Sequence, residues 1–286
     1  MSKAQQTSPK FLILGATGKT GRRVVERLET LDIPVRRGSR NASPRFDWND
    51  EASWDASLQG VESIYVNYAP DLAMPGAGDA IRALLERAKA HQVRNAVLLS
   101  GRGEAEAQAC ERIVQGSGLR WTVVRASWFN QNFDEGGFAE MVASGHVTLP
   151  AGDVPEPFVD VEDIAEVIVA ALLDPERHAG EVYEVTGPQL LTFREAVSEI
   201  ADASGLDLRY TQIPHDQFLS GVEASGAPSE VAWMMDYLFA TVLDGRNARV
   251  TDGVQRALGR EPREFRDYAR AVAQTGVWTR SPTGPV

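Results

Sequence analysis

The chain has 286 residues, 43% apolar and 24% charged, with 40 acidic against 29 basic side chains and a formal net charge of −11. That length suits one large α/β domain or a cofactor domain with a smaller lobe, and the negative charge argues against nucleic acid and anionic membranes as partners. A single cysteine, Cys110, excludes an internal disulfide and a cysteine-built metal cluster, and no apolar run reaches the length of a bilayer span.

The first ten residues are polar and carry no apolar signal segment, so the expectation is a soluble cytoplasmic protein, monomeric or homodimeric. Phe11 to Leu14 is a short apolar run ending at a glycine, and residues 20–31 follow with Val24, Val25, Leu28 and Leu31 at helical spacing. Strand and helix then alternate: strands over 33–37, 61–67, 93–100 and 120–126, helices over 78–91 and 104–117. This predicts an α/β fold, a Rossmann-type doubly wound parallel sheet, with a smaller, mainly helical C-terminal lobe. The expected division is 9–150 for the cofactor domain and 151–278 for the substrate lobe, leaving 279–286 as a disordered tail. Within the second part, Asp160 and Asp163 bracket the start of a helix over 161–173 as a carboxylate form of capping box, and a strand over 181–186 returns with that helix to the main sheet. Further helices are expected over 192–204, 214–222, 228–243 and 264–274.

The stretch Gly15-Ala16-Thr17-Gly18-Lys19-Thr20-Gly21 places glycines three residues apart where the first strand hands over to a helix. Gly15 permits a tight turn, Gly18 lets a pyrophosphate approach the backbone, and Gly21 lets the helix lie close on the sheet; the helix N-terminus adds partial positive charge. Thr17, Lys19 and Thr20 complete the cofactor-binding candidates in this turn. An acid ending the second strand would bind a ribose hydroxyl and repel a 2′-phosphate, but the stretch reads Arg36-Arg37-Gly38-Ser39-Arg40. Ser39 and Arg40 therefore point to NADP(H), with guanidinium and hydroxyl available to the extra phosphate. Asp47 and Trp48, expected at the end of a third strand, suit the edge and face of an adenine ring.

The usual short-chain reductase mechanism pairs a tyrosine with a lysine four residues later. The lysines of this chain are Lys3, Lys10, Lys19 and Lys89, and none follows a tyrosine at that spacing. An iminium or quinone acceptor is then favoured over a simple ketone, which depends more on a proton donor. Strand ends facing the nicotinamide supply Tyr68, Ala69 and Pro70, then Ser100, then Ala126 and Ser127. Tyr68 and Ser100 are the candidate proton relays, while Ala69, Pro70, Ser100, Ala126 and Ser127 are expected to touch the cofactor. Trp128, Phe129, Asn132 and Phe133 mix flat apolar faces with amides, and Trp233 sits in an apolar helix; together they are the candidate pocket for a small ring-bearing substrate. His91, His146, His178 and His215 are scattered, so no metal site is expected.

With these residues in view, the chain resembles the NmrA-like branch of the atypical short-chain dehydrogenase/reductases, and within it the bacterial relatives of the ergot-alkaloid reductases of festuclavine and agroclavine dehydrogenase type. The likeness runs through the glycine turn 15–21, Ser39-Arg40, Phe46-Asp47-Trp48, Val97-Leu98-Leu99-Ser100, Trp128-Phe129 with Asn132-Phe133, and residues 158–165, 187–192 and 265–278. One departure is Ala126, which stands where relatives usually carry proline. The resemblance implies an NADP(H)-dependent reductase that dispenses with the Tyr-Lys pair and holds substrate in a cleft between a Rossmann lobe and a helical lobe. It also admits a non-catalytic sensor that binds the dinucleotide and signals its redox state; a sugar-nucleotide-modifying enzyme is disfavoured by the missing Tyr-Lys pair.

Overall fold

All four residues of Phe11–Leu14 (β1) are apolar and buried, as expected of an inner parallel strand covered on both faces. The structure, a computed structural model, describes residues 10–279. After β1 come Lys19–Thr30 (α1), Val35–Gly38 (β2), Trp54–Leu58 (α2), Ser63–Val66 (β3), Ala77–Ala90 (α3), Asn95–Gly101 (β4), Ala105–Gln115 (α4) and Arg120–Ala126 (β5). The chain continues through Ala139–Ala143 (α5), His146–Leu149 (β6), Val161–Leu173 (α6), Glu181–Val185 (β7), Phe193–Ser204 (α7) and Arg209–Gln212 (β8). His215–Ala224 (α8), Ser229–Tyr237 (α9), Gly253–Leu258 (α10) and Phe265–Thr275 (α11) complete the helices.

The main sheet has six strands in the order β2-β1-β3-β4-β5-β7, with β1 parallel to β2 and β3, and β3 parallel to β4. Strand order reverses between β1 and β3, which makes this a doubly wound Rossmann-type sheet with its switch point beside the glycine turn. The chain divides into two compact units: residues up to 125 with 164–183 and 256–258, and residues 126–163 with 184–255 and 259 onward. The first division falls after Arg125 rather than at 150, and both units are discontinuous in sequence.

In the first unit, Leu12, Leu14, Trp54, Ile64, Val66, Ile81, Leu84 and Leu98 form the core. Each such side chain removed from water contributes ~1.5–3 kcal/mol. Helix α1 buries Val24, Val25 and Leu28; Leu31, which shares their spacing, caps the helix end and is 55% exposed. Asp47 and Trp48 do not end a strand. They lie in a loop closed by an isolated bridge between Asp47 and Asp50, and the third strand of the sheet is β3.

The second unit contains a parallel pair, β6 and β8, that sequence periodicity does not reveal because the Arg-Tyr-Thr-Gln of β8 has no apolar alternation. An aromatic cluster of Phe133, Phe138, Phe158, Phe193, Phe239 and Phe265 forms its core. Helix α7 starts with a reciprocal box: Thr192 Oγ1 accepts from the Glu195 N–H, and the Glu195 carboxylate accepts from the Thr192 N–H. At α6 the expected box is only half made. Asp160 Oδ1 accepts from the Glu162 N–H at 2.8 Å, whereas Asp163 turns its carboxylate to the guanidinium groups of Arg260 and Arg263. The single helix expected over 228–243 breaks after Tyr237 into a π-helical turn, Leu238–Val242, that buries Phe239 and Val242. Thr279 closes a short 3-10 turn, Val277–Thr279, and the remainder of the expected tail lies outside the described residues. Among the described residues no helix is long and apolar enough to cross a membrane.

Candidate cofactor site

The glycine turn has the backbone that its sequence requires. Gly15 sits at φ +65, where a side chain is strained, and a Cβ there would lie 2.7 Å from the Asn67 amide nitrogen. Gly21 packs so tightly that a Cβ would stand 2.1 Å from the Gly15 carbonyl oxygen. Gly18 differs: its φ is −81, and the nearest obstacle to a Cβ is the Gly15 carbonyl at 3.3 Å. That glycine is therefore not demanded by the fold around it and leaves open the space in front of the helix. The Gly18 N–H closes the turn onto the Gly15 carbonyl at 2.9 Å. No side chain caps the start of α1, and no acid occupies its first turn. An uncapped helix end behind a side-chain-free cradle fits a diphosphate.

The turn is braced from β3. The Asn67 amide donates to Thr20 Oγ1 at 3.4 Å, and the Thr20 hydroxyl shares a 2.8 Å hydrogen bond with the Tyr65 phenol, whose burial pushes its pKa up. Tyr65 was not among the expected site residues; as one more residue of a buried strand, it carries no spacing signal, and Asn67 follows directly after that strand.

Along β2 and past it, the arginines separate into those with partners and Arg40. Arg36 donates to the Ser57 and Gln59 carbonyls, Arg37 pairs with Glu29 at 2.8 Å, and Arg45 pairs with Asp47 and Asp50. Arg40 is exposed and has no ion pair or hydrogen bond among the described residues. Ser39 holds the loop through its carbonyl, which accepts from the Ala42 and Phe46 N–H groups. Asp47 is tied up by Arg45 and by the Asn49 N–H. Trp48 donates to the Asn67 carbonyl at 3.2 Å, and its ring packs against Phe46, Trp54 and Tyr68.

At the carboxyl ends of β3 and β4, the two candidate proton relays differ. Tyr68, half-buried 4.8 Å from the Trp48 ring centroid, has its pKa raised by burial. Ser100 is buried and spends its proton on Glu111 Oε1 at 2.6 Å, and Glu111 also receives two hydrogen bonds from Arg125. Ser100, Glu111 and Arg125 thus form one hydrogen-bonded group. Ala69 and Pro70 follow Tyr68 on the same loop.

Two carboxyls missed in the sequence lie past the carboxyl ends of β3 and β4. Asp71 and Glu104, 33 positions apart, act on one another, and burial is the first cause that raises both pKa values; that of Glu104 is pushed up to about 9. The sign of the resulting pH effect follows. The folded chain holds the Glu104 proton up to about 9, while an unfolded chain releases it near 4.5, so the folded state binds more protons in that window. Thermal stability is expected to fall as pH rises through it. Glu104→Gln is expected to flatten that slope in a melting series; an unchanged slope would contradict the protonated state.

The remaining expected residues lie in the second unit. Ala126 and Ser127 are buried, and the Ser127 N–H donates to the Val185 carbonyl at 3.2 Å. Trp128 is half-buried at the edge of the aromatic cluster, with centroids 5.2 Å from those of Phe193 and Phe239. Phe129 precedes the 3-10 turn Asn130–Asn132 and Asn132 ends it; both are partly exposed. Phe133 is fully buried among Phe138, Phe158, Phe193 and Phe265, so it is core and offers no face to a substrate. Trp233 is 38% exposed on α9 and stacks on Tyr237 at 5.4 Å. Among the described residues no three His, Cys, Asp or Glu side chains come together as a metal site.

Comparison with known proteins agrees with this architecture. An NAD(P)H-binding family matches residues 15–175, and the NmrA-like family matches residues 105–270. An NAD(P)H azoreductase from Xenophilus azovorans is 29% identical over 287 residues, covering 92% of this chain and 98% of that protein. Agroclavine dehydrogenase from Claviceps fusiformis is 26% identical over 276 residues, covering 90% and 95%. Among solved structures, an NADPH-dependent quinone oxidoreductase from Escherichia coli in complex with NADPH aligns with a TM-score of 0.76 at 20% identity, covering 92% of this chain and 99% of that one. The chain belongs to the NmrA-like family of NAD(P)H-binding proteins, and its relatives include oxidoreductases.

Proposed function

We propose that the chain is an NADPH-dependent reductase acting on a small ring-bearing acceptor: an imine or iminium, a quinone or a conjugated carbonyl. The observation that carries this reading is the pairing of an uncapped glycine turn with an uncommitted Arg40 just past β2. When bound, the reduced nicotinamide supplies hydride. The backbone around Gly15, Gly18 and Gly21 binds the diphosphate, Ser39 and Arg40 take the 2′-phosphate, and the Trp48 ring covers the adenine. Tyr68, Ala69 and Pro70 border the nicotinamide from the end of β3, with Ala126 and Ser127 lining it further along the chain. Trp128, Phe129 and Asn132 receive the substrate ring, with Trp233 as a further contact. The relatives named for azo and agroclavine chemistry support an oxidoreductase.

Arg40→Ala is expected to weaken NADPH binding about tenfold, ~1.4 kcal/mol, and to leave NADH binding unchanged. Equal losses for the two coenzymes, measured by calorimetric titration, would remove Arg40 from the 2′-phosphate site. The reductase reading itself is tested by following NADPH oxidation with naphthoquinones, azo dyes and cyclic imines. Turnover on at least one class is expected. Tight NADPH binding without turnover on any of them would favour a dinucleotide sensor instead.

A further inference from the structure

Helices α3 and α4 belong to the first unit and approach closely at Gly78, where a Cβ would meet Ile113 Cδ1 at 3.4 Å. Along their later turns a hollow of about 570 Å³ lies between them, a size within the range of small-molecule pockets. Leu85, Ala109 and Ile113 give it apolar surface, while Arg82, Lys89 and Arg112 line it with three bases against a single acid, Glu86. That local positive excess contrasts with the net charge of −11 on the whole chain. The bases are also largely unspent. Arg87, on the same helix, is tied to Glu51 at 3.1 Å and to Asp55 at 2.7 Å. The Lys89 ammonium and the Arg112 guanidinium are exposed and have no ion pair or hydrogen bond among the described residues. Arg82 has Asp79 at 3.2 Å, in a pair whose acid is 92% exposed and therefore weakened by water. Attraction to helix carboxyl ends accounts for a base in the last turn of each helix, but not for Arg82, in the middle of α3, lining the same hollow. Because β1, β3 and β4 are parallel, α3 runs back along the sheet, and its last turn lies at the edge opposite the glycine turn. The hollow is thus separate from the candidate diphosphate site.

We propose that the hollow between α3 and α4 binds a small organic phosphate, with Arg82, Lys89 and Arg112 holding the phosphate and Ala109 and Ile113 carrying the apolar stem. The donors decide for phosphate. Three bases offer more N–H groups than the two oxygens of one carboxylate can use, whereas a phosphate monoester presents three oxygens and close to two negative charges. Glu86 opposes any anion there and sets a limit on affinity. No part of this assignment rests on the reductase reading.

The test is calorimetric titration of the full chain with phenyl phosphate at low salt, without and with saturating NADPH. Saturable binding at one site is expected, with a Kd of about 1 mM or below. Arg112→Gln and Lys89→Gln, both at exposed positions, are each expected to weaken it about tenfold, and Glu86→Gln to tighten it about twofold. Benzoate, with one charge and two oxygens on the same ring, is expected to bind about fivefold more weakly. Absence of saturable binding, equal affinity for benzoate, or an affinity that neither base variant changes overturns the proposal. Displacement of phenyl phosphate by NADPH would place the ester in the coenzyme site, which overturns the hollow and leaves the coenzyme reading standing. Should NADPH itself fail to bind, the titration without it and the base variants still decide the question.

Discussion

Gly18→Val is expected to weaken NADPH binding about hundredfold, ~2.7 kcal/mol, while leaving the fold of the free protein nearly as stable as before. The reason is local. Gly18 has an ordinary extended backbone, and a Cβ there meets only the Gly15 carbonyl at 3.3 Å, so the apoprotein is expected to lose little beyond a helix-cap preference of about 1 kcal/mol. The same side chain would occupy the space where a diphosphate approaches the start of α1. Gly21→Ala makes the opposite contrast. Its Cβ would land 2.1 Å from the Gly15 carbonyl oxygen and 2.7 Å from its carbon, both of them backbone atoms that cannot swing aside. That variant is expected to lose ~1–3 kcal/mol of stability as well as coenzyme affinity. Urea unfolding and coenzyme titration on both variants separate the two effects. Unchanged NADPH affinity in Gly18→Val would contradict the assignment of the turn.

The second large effect is expected at Asp163. Its carboxylate is fully buried in the second unit and accepts from the Arg260 guanidinium at 2.6 Å, from the Arg263 guanidinium, and from the Arg263 N–H at 2.7 Å. The two arginines are only partly buried, so their charges remain partly solvated, whereas the acid depends wholly on them. Asp163→Ala removes the acceptor shared by three donors and opens a void at the start of α6. A loss of about 3–5 kcal/mol is expected, as for other buried pairs deprived of one partner. Chemical denaturation measures it, and a loss below ~1 kcal/mol would show that the cluster is replaceable by water.

Local chemistry made the first unit readable. The Phe11–Leu14 run, the glycine spacing and the stripe of Val24, Val25 and Leu28 each encode their own structure within a few residues, and β5 and α6 have the limits that their apolar patterns imply. What escaped depends on contacts distant in sequence. Glu111 reaches Ser100 and Arg125, and Asp71 meets Glu104, through the order of strands in the sheet, which no spacing along the chain announces. At Ser100 the sequence shows a hydroxyl at a strand end and hides the carboxylate that accepts its hydrogen bond. Asp163 looked like a capping residue for the same reason: its partners lie about 100 positions downstream. Phe133 misled in another way, since an aromatic beside an asparagine reads equally well as pocket wall or core, and only the surrounding phenylalanines settle which. Strand β8 is polar throughout and is held by its pairing with β6, so its own residues give no strand signal.

The central claim is that the backbone of the glycine turn holds a diphosphate while Arg40 takes one further phosphate. Titration of the purified chain with NADPH and NADH under the same salt conditions tests it most directly. NADPH is expected to bind at least about tenfold more tightly, a difference of ~1.4 kcal/mol that shrinks as salt screens the guanidinium–phosphate contact. Equal affinity for the two coenzymes, or binding of neither, would contradict it.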